Sequence, residues 1–164
     1  MSFIRSVKYK FKFLCIRIVA PAILNCIFVF LRRRGKTLLI IKPDGIGDHI
    51  LFRNYLQFLH GSDKFRDHKI HLLTNIAIKD LTVSMDAKYV DKFYYYADSY
   101  FLKWKLIKLL YQLQQLRATT IIYPNYSRKY PVDWLVHQIR ATNKIGVDGN
   151  TMNQSLPSKL KGDK

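Results

Sequence analysis

The sequence predicts an α/β fold: a Rossmann-like, mostly parallel sheet with helices on both faces, preceded by a basic apolar helix. Three observations carry this reading. Strand-like and helix-like stretches alternate along the chain from residue 37 onward. The first strand, residues 38–42, is a continuous apolar run closed by Lys42, the pattern of a strand buried on both faces. It passes through the glycine-bearing turn 43–48 straight into an amphipathic helix, which makes the first half of a βαβ unit. With 164 residues, 49% of them hydrophobic, the chain can fill the core of one such domain.

Ahead of that domain, residues 1–36 hold nine Lys/Arg and no acid. They contain an apolar span, 13–31, which Arg17, Pro21 and Asn25 interrupt. Lys8, Lys10 and Lys12 precede the span, and Arg32, Arg33 and Arg34 follow it. Its unbroken stretches are shorter than the ~20 apolar residues that a spanning helix needs. The favoured reading is an interfacial helix held on an anionic membrane surface by its basic flanks. A tilted transmembrane anchor and a helix packed on its own domain are the alternatives. No small-residue cleavage site marks a removable signal peptide.

The domain proper is expected over residues 37–149. After the strand 38–42 comes a helix at 49–59, ended by Gly61-Ser62-Asp63. A second strand is expected at 69–73, then a helix at 76–85 with Asn75 as its cap. Residues 89–96 are β-branched and aromatic and read as a third strand, with Tyr94, Tyr95 and Tyr96 packing on or flanking the sheet. A long helix, 100–116, is apolar at 102, 106, 109, 110 and 113 and carries Lys103, Lys105 and Lys108 on a solvated face. A fourth strand at 119–123 leads through the loop 124–128 to a short helix at 131–139, where Pro131 takes an allowed first-turn position. A fifth strand follows at 144–147, and residues 150–164 read as a polar, frayed tail.

Charge and motif tests narrow the function. The net charge is +17, from 28 Lys+Arg against 11 acids, every one of them Asp. The acid-free first block contributes +9 of it and sits beside an apolar run, which points to a membrane surface and not to nucleic acid. Cys15 and Cys26 form no Cys-x-x-Cys pair and the five histidines form no i, i+4 pair, so no metal site is expected. Gly35-Lys36-Thr37 is not the end of a P-loop, because position 30 is Phe and the stretch precedes the strand. The dinucleotide fingerprint fails at Ile50.

In open α/β sheets the loops after the strands bind ligands. The first loop is the best candidate here. Gly45 and Gly47 permit positive φ and close approach of a ligand. Asp48 stands at the start of the following helix, either as a general base or as its N-cap. Asp44 is a second carboxylate or a turn residue, and His49 orients a ligand or lies on the surface of the first helical turn. Lys42 attracts an anionic group or snorkels at the strand end. In the loop 124–128, Asn125, Ser127 and Arg128 bind hydroxyls or phosphate, or form a polar turn.

The run Leu39-Ile40-Ile41-Lys42-Pro43-Asp44-Gly45-Ile46-Gly47-Asp48 resembles the opening of the family 9 glycosyltransferases, the heptosyltransferase-like enzymes of lipopolysaccharide assembly. The stretches Ile121-Ile122-Tyr123-Pro124-Asn125-Tyr126-Ser127 and Lys144-Ile145-Gly146-Val147 are similar in spacing to that family's fourth and fifth strands. The resemblance covers residues 37–149 and implies the N-terminal, acceptor-binding half of a GT-B fold. It also implies an inverting, metal-independent transfer of a heptose or related sugar from a nucleotide sugar to a lipid-linked saccharide, with no cofactor. The family's catalytic aspartate falls on Asp48. The expected localisation is the cytoplasmic face of a bacterial inner membrane. The family's donor-binding half has no counterpart in these 164 residues, so the resemblance predicts no transfer by the chain alone. It would act with a separately encoded donor-binding domain, or stand as a truncated product. The alternative function is a non-catalytic, membrane-associated binding module.

Overall fold

The computed structural model describes residues 14–29, 35–100, 103–126 and 129–147. Five parallel strands form one sheet in the order β3-β2-β1-β4-β5. They are β1 (Thr37–Lys42), β2 (Lys69–Asn75), β3 (Lys92–Tyr96), β4 (Thr120–Tyr123) and β5 (Asn143–Gly146). The α/β, Rossmann-like expectation is met. β1 is the central strand, and Leu38, Leu39, Ile40 and Ile41 have no exposed surface at all. That explains the continuous apolar run, since a strand covered on both faces has no polar side to alternate with.

Alternate residues of β1 feed two cores. Leu38 and Ile40 pack with Ile70, Leu72 and Ile122 under Phe52, Leu56 and Leu59 of α2 (Ile46–Gly61). Leu39 and Ile41 pack on the opposite face under α4 (Trp104–Gln115) and α5 (Tyr130–Gln138). α4 contributes Leu106, Leu109, Leu110 and Leu113, the i, i+3, i+4, i+7 spacing read from the sequence. A short helix, α3 (Lys79–Asp86), follows a 3₁₀ turn at Ile76–Ile78. Asn75 caps that turn as expected, its side-chain oxygen accepting from the Ala77 N–H at 2.9 Å.

The first described helix belongs to the same body. A π-helical turn, Cys15–Val19, runs into α1 (Ala20–Val29). Pro21 has no N–H for the carbonyl four residues back, and the wider turn, with the Ala20 N–H on the Cys15 carbonyl, takes up the mismatch. Leu24 packs on the core under α4 and α5. Asn25 Nδ2 donates to Gln138 Oε1 at 3.3 Å, and the buried Gln114 Nε2 donates to Asn25 Oδ1 at 2.9 Å and to the Gln138 carbonyl at 2.8 Å. Asn25, which reads as a break in an apolar span, is therefore the residue that fixes the helix to the domain. No helix among the described residues is long and apolar enough to cross a membrane.

Several boundaries differ from the sequence reading by a residue or more, and three have a local cause. α2 starts at Ile46, three residues early, because Gly45 takes the extended N-cap conformation and the His49 N–H closes the first turn on its carbonyl at 3.1 Å. β3 starts only at Lys92, because Asp91 Oδ2 accepts the Ile70 N–H at 2.7 Å and the Asp91 N–H donates to the Ile70 carbonyl at 2.8 Å. Residues 98–100 form a separate 3₁₀ turn ahead of α4. The tail 150–164 lies outside the described residues.

His71, in the middle of β2, is buried against Tyr94, with ring centroids 6.0 Å apart. Burial pushes its pKa below the usual histidine value; Asp91 opposes the shift, and Lys92 and Lys69 reinforce it. The folded chain thus resists the proton that the unfolded chain accepts near pH ~6.5. The resulting stability is present above that pH and is lost as the pH falls through the lowered value. The urea midpoint should drop between about pH 7.5 and about pH 5, and His71→Gln should make the drop shallower. An equal pH dependence in both proteins would show that His71 plays no part.

Candidate binding cleft at the switch point

The strand order reverses at β1, whose loop leads one way to β2 while β4 lies on its other side. Ligand crevices of doubly wound sheets open at this place, outside the carboxyl ends of the two strands. The two loops there are 43–45 and 124–126, and a buried cluster joins them. Lys42 Nζ pairs with Asp44 Oδ2, and Asn125 Nδ2 donates to Asp44 Oδ1 at 2.6 Å. Only 11% of the Lys42 side chain and 14% of the Asp44 side chain are exposed. The ammonium also lies 5.7 Å from the centre of the Phe52 ring.

Three of the predicted residues, Lys42, Asp44 and Asn125, are thus brought together although 81 positions separate Asp44 from Asn125. Asp44 is more than a turn residue: it spends both oxygens on this cluster. Lys42 does not snorkel out to solvent. The buried Asn125 keeps one acceptor, Oδ1, with no hydrogen-bond partner. Thr74, beside Lys42 in the β1–β2 register, likewise has a buried hydroxyl without a partner. Ser127 and Arg128 lie outside the described residues.

The glycine turn and Asp48 form the exposed rim. Gly45 has φ −78°, and Gly47 also lacks positive φ, so the conformational reason for glycine does not apply. Nor does space within the chain require it: a Cβ at either position would meet nothing within 4 Å, so the turn is open on its outer side. Asp48 is exposed in the first turn of α2 and is not the N-cap, a place that Gly45 holds. The cap reading of Asp48 fails because the helix begins before it. Its charge still suits the positive end of the helix.

His49 leaves the site altogether. It is neither on the surface nor beside a ligand, but fully buried between α2 and α3. Its Nε2 lies 2.7 Å from Asp86 Oδ2, and Arg53 Nε donates to Asp86 Oδ1 at 2.8 Å. Arg53 also donates to the Met85 carbonyl at 3.0 Å. The carboxylate accepts from both, so the imidazole proton sits on Nε2. The i, i+4 spacing of His49 and Arg53 signals a shared acid in the sequence, but nothing local identifies that acid as Asp86.

A second recess lies at the free edge of β3. It measures about 420 Å³ and is lined by Tyr94, Tyr95, Tyr100, Lys92, Lys105 and Lys108, among others. Beside the switch point, an apolar groove of about 330 Å³ runs between α2 and β5, along Phe52, Tyr55, Ile122, Ile145 and Val147. Among the described residues no cluster of three or more His, Cys and Asp side chains is spaced to hold a metal ion. No family model matches this chain, and neither does any curated protein or solved structure.

Proposed function

We propose that this chain is the acceptor-binding half of an inverting, metal-independent glycosyltransferase. It would receive a heptose or related sugar from a nucleotide sugar on a lipopolysaccharide-type acceptor, at the cytoplasmic face of a bacterial inner membrane. One observation carries the reading: an exposed aspartate stands on an open glycine turn at the switch point of a doubly wound sheet. Asp48 takes the proton of an acceptor hydroxyl as its oxygen attacks the anomeric carbon. The bond from that carbon to the nucleoside diphosphate breaks, and the diphosphate leaves with the electron pair. Asn125 Oδ1 is buried and unpaired beside Asp44, and a shift of the loop 124–126 that uncovers it would offer it to a hydroxyl group of a saccharide. A donor-binding domain would close over the cleft, with the apolar stripe of α2 (Leu51, Tyr55 and Phe58, all exposed) offering it a surface beside Asp48.

Calorimetry with a phosphorylated lipooligosaccharide core tests the binding half of this reading. Gly47→Phe fills open space and should leave the fold intact, yet it should weaken core binding by about tenfold or more, a sterically blocked site losing well over 1.4 kcal/mol. Unchanged affinity in that variant, or no saturable binding to the native chain, rejects the cleft. Asp48→Asn tests the chemistry. With a donor-binding domain and nucleotide heptose supplied, it should keep core binding and lose transfer by roughly 10²–10⁴-fold. Transfer at the native rate would remove Asp48 from the mechanism.

A further inference from the structure

Among the described residues, α1 docks on the domain with one face and has exposed side chains on the other. Pro21, Leu24 and Asn25 point inward, whereas Ile23 and Ile27 are more than half exposed. Leu14, Ile18 and Val19 of the preceding turns are exposed as well. α1 packs against α4, whose outer side is exposed as well. Trp104, Lys108 and Tyr111 fall at i, i+4 and i+7 on its outer stripe, and Trp104 is 61% exposed. Lys105 lies next to that stripe and, with Lys108, reaches the recess at the β3 edge, where Lys92 adds a third cation. Neither helix contains an acidic residue.

We infer that the outer faces of α1 and α4 form one docking surface for an anionic phospholipid bilayer, which they enter side by side without crossing it. The inference deepens the membrane-bound reading above and is independent of glycosyl transfer. Its composition is that of a bilayer interface: aliphatic side chains on α1, and Trp, Tyr and lysines interleaved on α4. Charge selects the occupant. The other exposed apolar stripe, on α2, has no lysine, and its one arginine is engaged with Asp86. α4 supplies lysines to the α1–α4 surface, and α1 itself lies within the acid-free first block of +9. Anionic headgroups answer that charge; a neutral protein partner does not.

Vesicle binding by the full chain tests this, with vesicles of phosphatidylglycerol and phosphatidylcholine that contain no saccharide. The chain should sediment with the anionic mixture, and pure phosphatidylcholine or high salt should release it. Trp104 emission should shift to the blue on binding, whereas Trp104→Phe should leave only the silent signal of the buried Trp134. Lys105→Glu with Lys108→Glu should weaken binding by about tenfold or more, although residues 1–36 are untouched. Ile23→Asn with Ile27→Asn should weaken it similarly on the α1 side. Native-like binding by the α4 variants, or an unshifted Trp104, would remove α4 from the surface and overturn the inference. Release by detergent alone, with no response to salt, would overturn it in favour of a spanning anchor. The Gly47→Phe variant should bind these vesicles as the native chain does, which separates a failed bilayer surface from a failed acceptor cleft.

Discussion

Replacing Asp86 by alanine should lower the unfolding free energy by about 2–4 kcal/mol. Asp86 is wholly buried, and each of its oxygens is used, one by His49 and one by Arg53. Removing it leaves two donors facing a void. Arg53 keeps about a quarter of its side chain in water and recovers part of the loss there. His49 has no such access, so its Nε2–H stays unpaired. The figure therefore lies at or below the range for breaking a fully buried pair, and well above that of a surface bridge. Urea denaturation reads it directly, and a change under about 1 kcal/mol would mean that the three groups contribute little together. A cycle with His49→Ala should be less than additive, because both changes remove one contact. The consequence reaches the cleft: this bond pins α2 to α3, and α2 carries Asp48 in its first turn. Asp86→Ala should weaken acceptor binding without touching the acceptor.

The fold was legible in the sequence because it is written in local patterns. The run 38–41 is apolar without alternation, as a strand buried on both faces must be, and the leucines of α4 recur at helical spacing. The meeting of the loops at 43–45 and 124–126 was legible for the same reason, since alternating strands and helices gather such loops at one end of the sheet. What escaped was pairing across distance. His49 looks like a first-turn surface residue until α3 brings Asp86 beneath it, 37 positions away. Asn25 looks like a flaw in a membrane helix until Gln114 and Gln138 meet it, 89 and 113 positions away. Asp48 looks like a cap because Asp caps helices so often; an extended glycine took that role three residues earlier. Polar residues carry no periodicity of their own, and their roles depend on which partner the topology delivers.

The same holds for Lys42, and there it decides what the cleft can bind. A lysine at the end of the first strand suggests a free cation waiting for a phosphate. The structure gives it a carboxylate, Asp44, and an aromatic face, Phe52. Asp44→Ala should then cost about 3 kcal/mol or more, because it strands an ammonium that is almost out of water. Lys42→Met should cost less. The methionine keeps the packing on Phe52, and the carboxylate left behind retains the Asn125 amide. The double variant Lys42→Met, Asp44→Ala should recover part of the loss, with a coupling of about 1–3 kcal/mol in urea denaturation. Additive single changes would show that the pair is not a unit. Inorganic phosphate then separates architecture from recognition. If Asp44 merely shields a cation meant for a ligand, Asp44→Asn should bind phosphate several-fold more tightly than the native chain. A strong coupling with unchanged phosphate affinity would assign Lys42 to joining the loops at 43–45 and 124–126, and leave the ligand to Asp48 and the free oxygen of Asn125.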